Sequence, residues 1–257
     1  MKMLIKVVDD IGGCLIFIRD VLCSAAKGPW RTDIIAKQIL KVTQQSLSTT
    51  ALAGFFVGAI MTIQFAMQVK GFGALGFLGG LATSGTIREV GPLLIAFMLS
   101  GKVGAFTSAE LGAMRVTEQI DALRCLGANP LREIIFPRFV GVVVSSFFLL
   151  VVGLAMSILG GLLTGMVFSG ITPEEYLRHI PTIVSIPSIV SGLIKCFAFA
   201  LVLASICTYK GYTTTGGAKG VGLSVVNTAV ATMVSIVIMD WLTSYLGKVA
   251  LKIVMGI

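Results

Sequence analysis

Residues 139–173 read FVGVVVSSFFLLVVGLAMSILGGLLTGMVFSGITP, without one charged side chain. A helix needs about 20 residues to cross roughly 30 Å of hydrocarbon, so this stretch spans a bilayer with length left for tilt. Residues 42–69 form a second uncharged run. A glycine-interrupted region from about Phe72 to Thr107 carries Arg88 and Glu89, and its best spanning portion lies around Arg88 to Phe106. Two further spans run from about Ser188 to Tyr209, around a lone Lys195, and from about Val221 to Leu246, around a lone Asp240. The expected fold is all-α and polytopic, with five transmembrane helices in a single domain over residues 1–257.

Composition agrees. The 257 residues are 56% hydrophobic and only 12% charged, where soluble domains carry about 25% charged residues. Mean hydropathy is +0.97. The five cysteines are odd in number and scattered, which leaves no legible disulfide framework or CxxC metal site. His179 is the single histidine, so His-based triads and His-rich metal cages are excluded, and no metal site is expected. The N-terminal MKMLIKVVDDIGG has aspartates and no small-residue cleavage site after an apolar core, unlike a cleaved signal peptide.

The net charge of +8 is a statement about topology. Fourteen of the 20 basic residues fall before the first span, in the loop carrying Lys102, Arg115, Arg124, Arg132 and Arg138, or in the fourth loop at Lys210 and Lys219. Residues 1–41 alone hold seven, Lys27 among them. The positive-inside rule puts the N-terminus and the 102–138 loop in the cytoplasm and the C-terminus outside, and the basic excess needs no nucleic acid. Residues 3–22 have helical order, with Lys6, Asp9, Asp10, Gly13 and Asp20 on one arc and Leu4, Val8, Ile11, Leu15, Ile18 and Leu22 opposite. Such a helix lies along the membrane interface.

The long polar loop SAELGAMRVTEQIDALRCLGANPLREIIFPR, residues 108–138, is expected to form one short amphipathic helix over about 110–125. Met114, Ile120, Leu123 and Leu126 supply apolar contacts, while Arg115, Glu118, Asp121 and Arg124 can pair at i,i+3 along the wet side. Gly127 and Pro130 end it. A rigid helix held between two spans can dock on a cytoplasmic partner and transmit its movement; a plain re-entry turn with a solvated face is the alternative. Glycine pairs at 76/80, 161/165 and 216/220 read as ordinary packing positions, and Lys210–Gly220 as a mobile polar connector. Thr172, Pro173, Glu174 and Glu175 spell a helix start in the outer loop, with His179 as an exposed loop residue.

The blocks Arg88-Glu-Val-Gly-Pro92, Ser100-Gly-Lys-Val-Gly104, Ala109 to Leu123, Asn129-Pro130 and Pro137-Arg138 resemble the MlaE/YrbE family of ABC-transporter permeases. The looser resemblance extends over an interfacial N-terminal helix, five spans and a fourth loop opening with Gly211-Tyr212. It implies a homodimeric permease of the bacterial inner membrane that passes phospholipid or related hydrophobic molecules to or from an extracytoplasmic MCE lipid-binding protein. It also implies cytoplasmic ATPase subunits that carry ATP and Mg, with no cofactor on this chain. Glu110, Met114, Arg115, Thr117, Glu118, Gln119, Asp121 and Leu123 then match the coupling helix that sits in a groove of the ATPase. Lys102 stands where the family commonly has arginine; it keeps the charge without the planar fork.

No G-x-x-x-x-G-K-[ST] stretch occurs in the sequence, so ATP hydrolysis is expected on another chain. The ionisable Glu89, Lys195 and Asp240 lie within or at the edge of spans, where a central charge costs about 2.5–3.5 kcal/mol. They are expected to form a network, as a tie between helices or as a cavity lining that meets a lipid headgroup. A second function class, an ion-coupled secondary transporter, would use the same three as a proton relay. Candidate lipid-lining residues are Phe65, Met67, Leu75, Phe77, Leu78, Leu93 and Phe97, although residues of this kind more often serve plain helix packing or annular lipid contact.

Overall fold

The computed structural model describes residues 2–26 and 30–255. Lys27, counted above among the basic residues, lies outside the described residues, as do the side chains of residues 2–8 and 250–255 and that of Lys248. Among the described residues nine helical segments follow one another: α1 (Lys2–Ala26), α2 (Thr32–Lys70), α3 (Leu75–Val116), α4 (Gln119–Cys125), α5 (Leu131–Ser169), α6 (Pro173–Arg178), α7 (Ile180–Ile183), α8 (Ile186–Tyr212) and α9 (Gly217–Met255). Five of them, α2, α3, α5, α8 and α9, are long and apolar enough to cross a membrane. The second span, expected to be broken by glycines, is instead a helical run from Leu75 to Val116.

That run stays helical because its irregular points are absorbed as π turns, at Thr86–Val90 and Ser100–Gly104; α5 opens with a third, Leu131–Ile135. Two of the three have a direct cause in the sequence. The Gly91 amide donates to Thr86 O and the Phe136 amide to Leu131 O, each reaching five residues back. The next residue in each case is a proline, Pro92 or Pro137, with no amide to continue the four-residue ladder. Where the chain must reverse, glycine takes a left-handed backbone that other residues resist: Gly73 (φ 65°) after α2 and Gly170 (φ 66°) after α5.

The chain divides into two compact units. The first comprises Met1–Gln44, Ser100–Ser146 and Ala200–Val234. Its core gathers Phe17, Val21 and Ala25 of α1 with Leu111, Ile120, Ile134, Ile135 and Phe136. The i, i+4, i+8 spacing of the three α1 residues puts them on one stripe. Burying a side chain of this size contributes about 1.5–3 kcal/mol, so α1 is built into the unit and does not merely lie beside it. Two positions of the polar arc of α1 face the unit: Asp10 pairs with Lys210 at 2.9 Å, and Gly13 lies against the Tyr209 hydroxyl, while Asp9 is exposed and Asp20 pairs with its exposed neighbour Arg19 at 3.3 Å. Of the apolar arc, Ile11, Leu15 and Leu22 are exposed, while Ile18 packs on the core.

The second unit comprises Gln45–Leu99, Phe147–Phe199 and Ser235–Ile257. Here α2 and α5 meet backbone to backbone. A Cβ placed on Gly54 would come 2.1 Å from Gly153 O, one on Gly58 1.8 Å from Ser157 O, and one on Gly160 2.0 Å from Phe55 O. Close approach of this kind, which needs small residues four apart, is how helices associate where lipid removes the hydrophobic drive. A satellite core of Ala66, Leu78, Ile171 and Tyr176 closes the end of the unit near α6.

Candidate functional site

The segment expected to be one helix over about 110–125 is two, α3 and α4, joined at a corner. Thr117 has its hydroxyl bonded back to Ala113 O at 2.9 Å, an interaction that competes with straight helix, and Glu118 then takes φ 60°. The ion pairs are consequently rearranged. Among the described residues only Asp121–Arg124 forms at i,i+3, at 3.2 Å. Arg115 reaches past the corner to Asp121. The expected Gly127 stop is present as a Schellman motif: Gly127 has φ 75°, Ala128 N–H donates to Leu123 O at 3.0 Å and Gly127 N–H to Arg124 O at 3.0 Å.

The eight residues matched to the coupling helix sort into distinct environments. Met114 and Leu123 pack against the core of the first unit beside fully buried Ile120. Arg115 and Asp121 are half-buried in their mutual pair. Glu110 is turned to an internal ion pair with Lys41 and Arg138. Thr117, Glu118 and Gln119 are exposed at the corner. Leu126, expected to be an apolar contact, is 81% exposed. With Ile120 and Leu123 facing the core, Gln119, Ala122, Cys125 and Leu126 form the opposite, outward stripe of α4.

Tyr212 is the residue that organises this face and that the motif only hinted at. Arg124 Nη2 donates to its hydroxyl, the Arg115 and Arg124 guanidinium groups lie 5.9 and 6.0 Å from its ring centroid, and Phe17 packs on it at 5.1 Å. The fourth loop is therefore no loose connector. Thr214 is buried, its hydroxyl lies 2.9 Å from both Lys210 O and Ser224 Oγ, and it sits against Gly112, where a Cβ would come 3.1 Å from its Oγ1. The 216/220 glycine pair serves this turn: a Cβ on Gly220 would meet Thr215 O at 1.8 Å.

In the second unit, Lys195 Nζ lies 2.8 Å from Asp240 Oδ1 and 2.7 Å from Ser244 Oγ. The lysine side chain is 2% exposed and the aspartate 21%. A buried ammonium without a partner is costly, and here the Asp240 carboxylate and the Ser244 hydroxyl both accept from it. Glu89 does not join them. It lies exposed on the Thr86–Val90 π turn, beside exposed Arg88, so the expected network of three is a pair with a serine and no three-member relay is assembled. The seven candidate lipid-lining residues do not share one surface. Leu78 is fully buried in the satellite core with Phe65 and Leu75 packed on it; Met67 and Phe77 are exposed; Leu93 and Phe97 are half-buried.

The outer loop folds as its sequence predicts: Thr172 caps α6, its Oγ1 accepting from Glu175 N–H at 3.3 Å, with Pro173 first in the helix. His179 is corrected from exposed to half-buried, its ring 4.5 Å from Phe77. Sequence reasoning missed Tyr176, whose ring and hydroxyl fill a socket of glycines. A Cβ on Gly165 would come 3.0 Å from the ring, and one on Gly161 2.5 Å from the hydroxyl, which is itself 3.2 Å from Thr62 Oγ1. The 161/165 glycine pair was the available signal.

Five apolar spans, an N-terminal helix and a cornered polar segment held between the second and third spans define an all-α polytopic membrane protein. Residues 35–246 match the MlaE permease family. A probable ABC transporter permease protein of Rickettsia bellii is 31% identical over 245 residues, covering 95% of each chain. Those of Synechocystis (32%, covering 82% of this chain and 80% of that one) and Porphyra purpurea (33%, covering 77% and 76%) agree. The chain belongs to the MlaE permease family, and it is an integral membrane protein and an ABC-transporter permease subunit.

Proposed function

We propose that this chain is the membrane subunit of an ATP-driven transporter that moves phospholipid or a related lipid between the bacterial inner membrane and an extracytoplasmic MCE lipid-binding protein. It works as a homodimer, with the N-terminus and the α3–α4 corner in the cytoplasm and the C-terminus in the periplasm, as the distribution of basic residues favours. ATP and Mg bind on the partner ATPase, and this chain carries no chemistry of its own.

The observation that carries this reading is the outward stripe of α4. Its inward residues are spent on the core, and Arg115, Asp121, Arg124 and Tyr212 are spent on one another. What remains for a partner is an acidic and amide end, Glu118 and Gln119, a small centre at Ala122, and an apolar end at Leu126. A groove with a cation at one end and an apolar pocket at the other, separated by about 12 Å of helix, accepts that face. Lipid enters between spans, and Lys195 is the cation there that a phosphate headgroup can draw from Asp240.

Co-purification with the cytoplasmic ATPase tests the reading. The paired changes Glu118→Arg and Leu126→Asp are expected to release the ATPase from a permease that remains monodisperse. Mass spectrometry of the wild-type complex is expected to find retained phospholipid. Transport driven by a proton gradient without ATP would overturn the proposal.

A further inference from the structure

Glu110 and Arg138 stand 28 positions apart, and everything between them is the α3–α4 corner, α4 and the Leu131–Ile135 π turn. Arg138 Nη2 donates to Glu110 Oε1 at 3.0 Å, so a single ion pair closes the base of this segment. Lys41 of α2 donates to the same oxygen at 3.1 Å. The guanidinium is further held within the segment by Ile134 O and Met114 Sδ, each 3.4 Å away, and the Lys41 ammonium lies 4.9 Å from the Phe106 ring centroid. Glu110 Oε2 and Arg138 Nε are both buried and without a hydrogen-bond partner among the described residues.

We propose that Glu110, Arg138 and Lys41 are positioning residues, a clamp through which movement of the coupling segment reaches α2. The inference rests on the transporter role proposed above. Two cations share one carboxylate oxygen while the second oxygen is idle. An arginine fork presents Nε beside Nη2 and can hold both carboxylate oxygens in parallel, a geometry a lysine cannot provide. The pair therefore has two arrangements. In the present one Lys41 and Arg138 divide Oε1, and α2 is tied to the base of the segment. In the other, Arg138 grips both oxygens, Nε to Oε2, and Lys41 is released. A two-state element of this kind can be biased from the ATPase side and felt in the first span.

The test uses the full permease with its ATPase in phospholipid vesicles, comparing Glu110→Gln, Arg138→Lys and Lys41→Met with wild type. Lipid transferred per ATP hydrolysed is expected to fall about five-fold or more, the low end of allosteric coupling, while co-purified ATPase and basal hydrolysis hold. The reversed pair Glu110→Arg with Arg138→Glu leaves one carboxylate between two cations and is expected to restore part of the transfer. Unchanged transfer per ATP in all three variants overturns the clamp. So does loss of transfer only in step with loss of ATPase binding, or a reversed pair as defective as the singles. Absence of ATP-dependent transfer by the wild-type complex, read before any variant, is instead the failure of the transporter role.

Discussion

Arg115 and Asp121 stand six positions apart, and Arg115 Nη1 nevertheless lies 2.7 Å from both Asp121 carboxylate oxygens. On a straight α-helix, residues at that spacing are about 9 Å apart along the axis and on different faces. The bond exists only because the chain turns at Thr117 and Glu118. Within the outward stripe of α4, Gln119 Nε2 donates back across the corner to Thr117 Oγ1 at 3.0 Å.

Glu118 pays for the corner, since a non-glycine residue at φ 60° carries a strain of about 1–2 kcal/mol. Glu118→Gly is expected to raise the thermal unfolding midpoint of the purified protein, because glycine adopts this backbone freely. In an unbroken helix the same change would cost about 1 kcal/mol, so the sign of the shift reports whether the corner is present.

The Lys195–Asp240 pair predicts a non-additive result. Lys195→Met removes the cation that Asp240 accepts from, and Asp240→Leu leaves a 2% exposed ammonium with Ser244 but without its carboxylate. Each is expected to destabilise the protein by about 3 kcal/mol, and the double substitution by less than either alone. Denaturation of the four proteins of this cycle in the same detergent measures the coupling. Additive losses would mean that the two charges are held independently of each other.

The close crossing of α2 and α5 sets Gly58 apart from Gly12 of α1, although each lies in a helix interior. Gly12→Ala meets no atom within 4 Å and is expected to stabilise α1 by about 0.5–1 kcal/mol. Gly58→Ala drives its Cβ to 1.8 Å from Ser157 O, a backbone atom that cannot swing away, and is expected to impair folding outright. Yield and unfolding midpoint of the two variants, side by side, check both signs.

The spans were legible because an uncharged run long enough to cross a bilayer has few alternatives, and the outer helix start because Thr172-Pro173-Glu174-Glu175 places each residue type where helix ends need it. The Gly54-xxx-Gly58 pair carried the α2–α5 contact in plain view, yet in a chain with 30 glycines spacing alone does not choose among candidates. The corner at Glu118 left no such mark: glutamate is a good helix former, and the left-handed turn goes with the burial of Ile120 in the core of the unit, a tertiary contact that local sequence does not reveal. Glu89 was placed with Lys195 and Asp240 because all three are rare charges in apolar surroundings. The π turn ahead of Pro92 rotates the helix by an extra residue, and Glu89 lies exposed.

Two cysteines of the first unit report on its inside and on the docking face proposed above. Cys14 is half-buried against Ser205 O, and burial pushes its thiol from the ordinary 9 up to about 11, with the Lys210 charge opposing and Asp10 adding. The thiolate is the reactive form, so Cys14 is expected to resist maleimide at pH 7.5 and to gain reactivity only as the pH climbs from about 9 toward 11. Cys125 is exposed on the outward stripe of α4 and is expected to label readily at pH 7.5. Binding of the ATPase is expected to slow Cys125 labelling at least several-fold and to leave Cys14 unchanged. Single-cysteine variants, assayed by mass shift with and without the ATPase, separate the two sites; equal Cys125 labelling in both states would place the docking face elsewhere on the segment.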